Sequence, residues 1–247
     1  MAGNNPMKKH LSDIHMHLLW GIDDGPKTRE EMHEMLDEAH RQGYERIYAT
    51  SHVCPGFRPF DLNVYLSRLE EASEYCLLKG YDIKVLQGAE IAWTHQAADA
   101  LLRGAVPALG RTDYVLLELW PGIPYQEALR AVRTLVGAGY IPILSHVERY
   151  QCFRWSPRKA LRFREETGAL FQMNAQTLLK PFSLACLYFR NRLMKSRAID
   201  FVASDAHGVA GRPVNLDQAY DWLLQHTDKA YADRLTGFGQ MMNGSDV

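Results

Sequence analysis

Asp13-Ile-His15-Met-His17 is the first segment able to do chemistry: side chains alternate in extended backbone, so two histidines one residue apart project to the same side and present two imidazole nitrogens to one cation. Alone, that spacing also describes an ordinary polar strand edge. Recurrence distinguishes it, because Asp24, His52, Glu90, Glu118, His146 and Asp205-Ala-His207 each lie at or shortly after a short apolar run that reads as a strand. Singly, Asp24 could start a helix, Glu118 could pair with an arginine, and the histidines could be satisfied core residues. Together they would gather five histidines and four carboxylates, and buried ionisable groups are costly unless paired or coordinated. Metal ions supply the compensating charge. Nitrogen and carboxylate donors without thiolate suit manganese, zinc or iron. Nine donors exceed what one ion uses, so two or three ions are expected, with Glu90, central in strand order, as the bridge. The other histidines, His10, His33, His40, His95 and His226, are expected in solvent.

The elements that must position these donors alternate from end to end. Short apolar runs near 11–16, 45–51, 83–91, 113–119, 140–146, 169–174 and 198–204 predict seven strands, with helical stretches between them. Thr28 and Glu31 form a capping-box pattern for a helix running to Gln42, and Gly43 stands as its stop; Gly80, Gly137-Ala-Gly139 and Gly168 punctuate later helices. Successive βα units imply a parallel sheet, and 247 residues without linker or repeat suit a single-domain α/β protein built as a distorted (β/α)7 TIM-like barrel. Residues 1–10 are expected as a disordered lead-in and 11–247 as the catalytic domain. In such a barrel the carboxyl ends of the strands converge on one mouth, where all nine candidates map. Strand six offers Asn174, expected to line the pocket as a hydrogen bonder.

Bulk properties exclude several classes. With 28 basic and 29 acidic residues the chain lacks the positive charge that binding a nucleic-acid backbone requires. No run of about 18 apolar residues and no basic-flanked leader occurs, so neither membrane insertion nor export is expected. Four cysteines without C-x-x-C spacing suggest free thiols and a cytoplasmic location.

Taken together, Asp13-Ile-His15-Met-His17, Gly21-Ile-Asp23-Asp24-Gly25-Pro26-Lys27-Thr28, Ala49-Thr50-Ser51-His52, Gly88-Ala89-Glu90-Ile91, Ser145-His146-Val147-Glu148-Arg149-Tyr150 and Ser204-Asp205-Ala206-His207 with Gly211-Arg212-Pro213 resemble the PHP (polymerase and histidinol phosphatase) superfamily. The Asp-Asp-Gly-Pro and His-x-Glu-Arg-Tyr blocks are most similar to its bacterial capsule-locus protein-tyrosine phosphatases. Val147 stands where many relatives have proline. The resemblance implies a PHP fold and a trinuclear site, manganese being the expected metal. One ion would be held by His15, His17, Glu90 and Asp205, a second by Asp24, His52 and His207, and a third by Glu90, Glu118 and His146, with Arg149 and Arg212 on the phosphate. It further implies hydrolysis of phosphotyrosine on the tail of a cognate bacterial tyrosine kinase, regulating capsule or exopolysaccharide assembly.

Such a site lowers the pKa of bound water toward about 7 and needs no catalytic thiol. A phenolate, with a free pKa near 10, leaves with little help, so no general acid is assigned; Asp23 is either an assisting acid or a turn residue. Phe57, Arg58 and Phe60, after His52, are expected substrate contacts. Three alternatives compete. A small-molecule phosphatase such as a histidinol phosphatase would use the same ions. A non-catalytic kinase-binding adaptor would tolerate missing ligands, and none is missing. A cysteine phosphatase could use Cys152…Arg158 or Cys186…Arg192, but one segment lacks glycine and contains a proline, and the other reads as helix.

Overall fold

The structure is a computed structural model that describes residues 9–238. Residues 1–8, most of the expected lead-in, lie outside the described residues; Lys9 pairs with Asp221 at 2.7 Å and His10 with Glu45.

Seven strands, β1 (Leu11–Met16), β2 (Tyr44–Val53), β3 (Lys84–Ala92), β4 (Tyr114–Glu118), β5 (Ile141–Leu144), β6 (Leu170–Asn174) and β7 (Phe201–Ala203), pair in parallel in sequence order. Hydrogen bonds from Asp205 N to His15 O (2.8 Å) and from His17 N to Ala206 O (2.9 Å) bring the last strand back to the first, giving the expected seven-stranded barrel. The seam between β1 and β7 is completed by a side chain: buried Asp13 accepts from Ser204 N and His15 N, each at 3.1 Å.

Helices cover the outside. Arg29–Gln42 buries Met32, Met35, Leu36 and Ala39, one stripe at helical spacing. Thr28 accepts from Glu31 N and Gly43 takes the left-handed conformation, as the sequence implies, although the Glu31 carboxylate reaches Lys27 N rather than closing on Thr28. Inside the barrel, Ile14, Tyr48, Leu116, Ile143, Phe201 and Phe238 form an apolar floor. Phe238 meets Tyr48, Tyr114 and Phe201 edge-on at centroid distances of 5.3, 5.4 and 5.1 Å, filling the end where β4 and β7 begin. From this floor, two-residue steps lead to the mouth: Leu86 to Glu90, Leu116 to Glu118, Leu170 to Asn174, Phe201 to Asp205.

Most strand ends differ from the sequence expectation by one to three residues, and at three of them the difference bears on the site. β5 stops at Leu144 and β7 at Ala203 because His146 (φ 31°) and Asp205 (φ 55°) adopt left-handed backbone, which no strand continues through. β2 instead runs on to Val53, so His52 lies within the strand, level with Glu90 on β3, rather than after it.

Candidate metal centre

Strict alternation on β1 would put Ile14 and His15 on opposite faces, yet Ile14 joins the floor and His15 faces the mouth. The register between β1 and β2 shifts between Asp13 and Met16, which re-aims the segment. His15 Nε2 and His17 Nε2 consequently approach to 3.3 Å, both within 3.2–3.6 Å of Glu90 Oε2 and Asp205 Oδ1. The loop after β1 brings Asp24 to 3.5 Å from His52 Nε2 and 3.2 Å from His207 Nε2. On the other side, His146 Nε2 lies 2.9 Å from Glu90 Oε1 and 3.5 Å from Glu118 Oε1. All nine expected donors line one mouth, but the sets whose ligand atoms lie close enough to share an ion are His17, Asp24, His52 and His207; His15, His17 and Asp205; and His52, Glu90 and Glu118. His17 thus joins the second expected set, Glu90 is absent from the first, and His52 stands in place of His146 in the third. His52 Nδ1 reaches Glu90 and Glu118, so His17 and His52 stand between groups.

The donor set fits divalent ions. Glu90 Oε2 is buried 3.2, 3.3 and 3.1 Å from His15 Nε2, His17 Nε2 and His52 Nδ1, yet no N–H is angled to donate to it. Separations near 3.0–3.4 Å are what two atoms show when each lies about 2.0–2.2 Å from a common ion. A lone pair surrounded by nitrogens that do not bond it asks for a cation rather than a proton.

A layer of hydrogen bonds orients the donors. His17 Nδ1 donates to Asp23 Oδ2 at 2.7 Å, which turns Nε2 into the mouth; Asp23 also accepts from His52 N and Gly25 N. Both Asp23 carboxylate oxygens are thus occupied in orienting the His17 ring and the loop backbone. Gly25 is required by close approach, since a Cβ there would stand 2.6 Å from His17 O. Gln172 Oε1 accepts from His15 Nδ1 (3.2 Å) and His146 N (2.6 Å), its amide donates to Asn174, and Asn174 Nδ2 donates to Asp205 Oδ2 at 2.6 Å. Asn174 is a hydrogen bonder, as expected. Gln172 was signalled only by its place two residues before Asn174. Glu148, fully buried, accepts from Asn174 N, and burial pushes its carboxyl pKa up; its sequence position beside Arg149 gave no hint of this.

Arg149, from the helical turn Val147–Arg149, and Arg212, from the loop after β7, converge on Asp205 at 2.7 and 2.8 Å. Burial pushes the Asp205 carboxyl pKa up, but His15 and Arg149 outweigh it and hold it below the usual range. Burial likewise opposes charge on His17 and His146, yet the carboxylates bonded to them lift their pKa values to about 10 and about 9. A field that retains protons so tightly has surplus negative charge for a cation. His207 goes the other way, to about 4, under burial, His17 and Arg212, so its imidazole is neutral.

Arg58 and Phe60 line a cavity of about 720 Å³ with Asp24, His52 and Glu118, whereas Phe57 is 80 % exposed and not among the lining. Of the other histidines, His33 is half-buried, stacked on Tyr75 at 3.7 Å, rather than free in solvent. Burial raises the Cys152 and Cys186 thiols to about 11, and both sit on helices, which removes the cysteine-phosphatase alternative.

Residues 11–242 match the family described as capsular polysaccharide synthesis, CpsB/CapC. The chain is 30 % identical to the tyrosine-protein phosphatase CpsB of Streptococcus pneumoniae, covering 87 % of this chain and 90 % of that protein. It is also 30 % identical to the tyrosine-protein phosphatase YwqE of Bacillus subtilis, covering 85 % and 82 %. A crystal structure from the pair YwqE and CpsB, described as metal-dependent tyrosine phosphatases, superposes with a TM-score of 0.81 at 27 % identity over 90 % of each chain. With the barrel, the donor cluster and this similarity along nearly its whole length, the chain belongs to the CpsB/CapC family of capsular polysaccharide synthesis proteins.

Proposed function

We propose that this protein is a metal-dependent protein-tyrosine phosphatase, a phosphoric monoester hydrolase that uses manganese. Its substrate is the phosphotyrosine tail of a cognate bacterial tyrosine kinase, in the cytoplasm, and its product state regulates capsule or exopolysaccharide assembly. The relatives' activity supports this reading, as does the absence, among the described residues, of any helix long and apolar enough to cross a membrane. The observation behind it is the convergence of imidazole and carboxylate donors on Glu90 beneath two guanidiniums.

His15, His17, Glu90 and Asp205 would hold one ion, Asp24, His52 and His207 a second, and Glu90, Glu118 and His146 a third. Bound there, divalent ions supply Lewis acidity to the phosphoryl group and lower the pKa of water toward about 7. The chain's own part is positional. Asp23, Gln172 and Asn174 fix the tilt of the donor side chains before substrate arrives. Arg149 and Arg212 present planar donor forks to the non-transferred phosphoryl oxygens, where charge is spread during transfer. A phenolate departs without a dedicated acid, and no side chain is assigned that task.

Turnover of a phosphotyrosine peptide, a phosphoserine peptide and histidinol phosphate, with elemental analysis of the native protein, tests the proposal. The peptide bearing phosphotyrosine is expected to dominate kcat/KM and manganese to be the bound metal. Preference for histidinol phosphate would overturn it.

A further inference from the structure

Beside Arg149 and Arg212 opens a cavity of about 510 Å³ whose outer wall is Lys180, Pro181, Phe182 and Pro213. Phe182 is 55 % exposed, and the Arg154 guanidinium stands 5.6 Å from its ring centre. Arg154 ends the short helix Gln151–Arg154. The residues that follow, with the helix Leu184–Lys195, enclose a second hollow of about 470 Å³ between Trp155, Arg158, Tyr188 and Arg192. Trp155 is 76 % exposed and Tyr188 is 52 % exposed.

The charge along this face has one sign. Asp205 is the only carboxylate lining either hollow among the described residues, and both arginines already bind it. Lys180, Arg158 and Arg192 have no carboxylate partner among the described residues. The cavity on the Arg58 side of the mouth has a mixed lining, with Asp61 and Arg58 beside the candidate ligands Asp24, His52 and Glu118, and lacks the run of basic groups found here. Exposed aromatic area beside arginines without a carboxylate partner among the described residues is a recognition surface, and guanidinium forks select carboxylates. The first hollow shares Arg149, Asp205 and Arg212 with the mouth, and Arg154, stacked over Phe182, leads from its wall to Trp155 at the second, an arrangement that suits an extended chain rather than the flat surface of a membrane.

We propose that the face from Lys180 and Phe182 to Trp155, Arg158 and Arg192 binds an acidic segment flanking the phosphotyrosine of the protein substrate. This rests on the phosphatase reading above and adds a sequence preference to it. The acidic side chains meet Lys180, Arg158 and Arg192, while Phe182, Trp155 and Tyr188 pack on the backbone and apolar stems between them.

The test uses the metal-loaded full chain with three substrates: a phosphotyrosine peptide with flanking glutamates, the same peptide with glutamines, and p-nitrophenyl phosphate. Wild type should show a lower KM for the acidic peptide. Arg158→Glu with Arg192→Glu should raise that KM by about tenfold, as expected of several exposed charge pairs acting together. Its kcat, the glutamine peptide and p-nitrophenyl phosphate should be unaffected, and Trp155→Ala should raise KM for both peptides only. Equal KM values for the two peptides in wild type, or an unmoved acidic-peptide KM in the double variant, would overturn the proposal. So would loss of binding to phosphatidylglycerol vesicles in the double variant with peptide KM intact, which marks a membrane contact. If wild type hydrolysed none of the three, the phosphatase reading would fail instead. The docking face would then be judged by direct peptide titration, standing if the double variant weakens acidic-peptide binding and falling if it does not.

Discussion

Asp23 accepts hydrogen bonds from the His17 ring, His52 N and Gly25 N, so its carboxylate locks one donor and the loop that brings Asp24. Asparagine keeps the shape but cannot accept at both positions with the same charge. Asp23→Asn should weaken metal binding by about 10- to 100-fold, the usual cost of losing such a partner, as read by competition with a chromogenic chelator. Unchanged affinity would return Asp23 to the status of a turn residue. Arg149 belongs to the other class. Arg149→Ala should lower kcat on a phosphotyrosine peptide by about 100-fold, the scale of removing one transition-state donor, with metal content by elemental analysis unchanged. Lost metal would show instead that Arg149 holds Asp205 in place.

Among the elements, the ends of strands matter more than their middles. His146 and Asp205 hold left-handed backbone at the points where β5 and β7 give way to loops, and both are expected ligands. Conformations sparsely populated by non-glycine residues persist only where surroundings over-determine them, here through Gln172 and Asn174. The opposite end of the barrel is apolar and built for stability. Phe238 is 2 % exposed there, so Phe238→Ala should cost about 3–5 kcal/mol in urea unfolding, with the native fraction keeping its kcat. A cost under about 1 kcal/mol would mean the floor closes without it.

For the molecule as a whole, a mouth that crowds four candidate carboxylate ligands together links stability to cations. Saturating manganese at about 1,000 times its Kd should stabilise the fold by about 4 kcal/mol and raise Tm by about 10 °C by calorimetry. The same chelator that reverses this should abolish turnover, while iodoacetamide should not, because the helical cysteines are held as thiols. An alkylation-sensitive, chelator-resistant activity would contradict the metal centre outright.

By itself the sequence determined the seven βα units and singled out nine candidate donors, since hydrophobic period and residue type are local properties and His15, His52, Glu90 and Asp205 each stand where an apolar run ends. What it left open depends on distance through space. The shift on β1 that puts Ile14 in the floor and His15 in the mouth, the Gln172–Asn174 relay, the burial of Glu148 and the basic face beyond Phe182 join residues far apart in the chain. Only closing the barrel brought them into contact, and alternation along one strand cannot specify which neighbour a side chain will meet across the next.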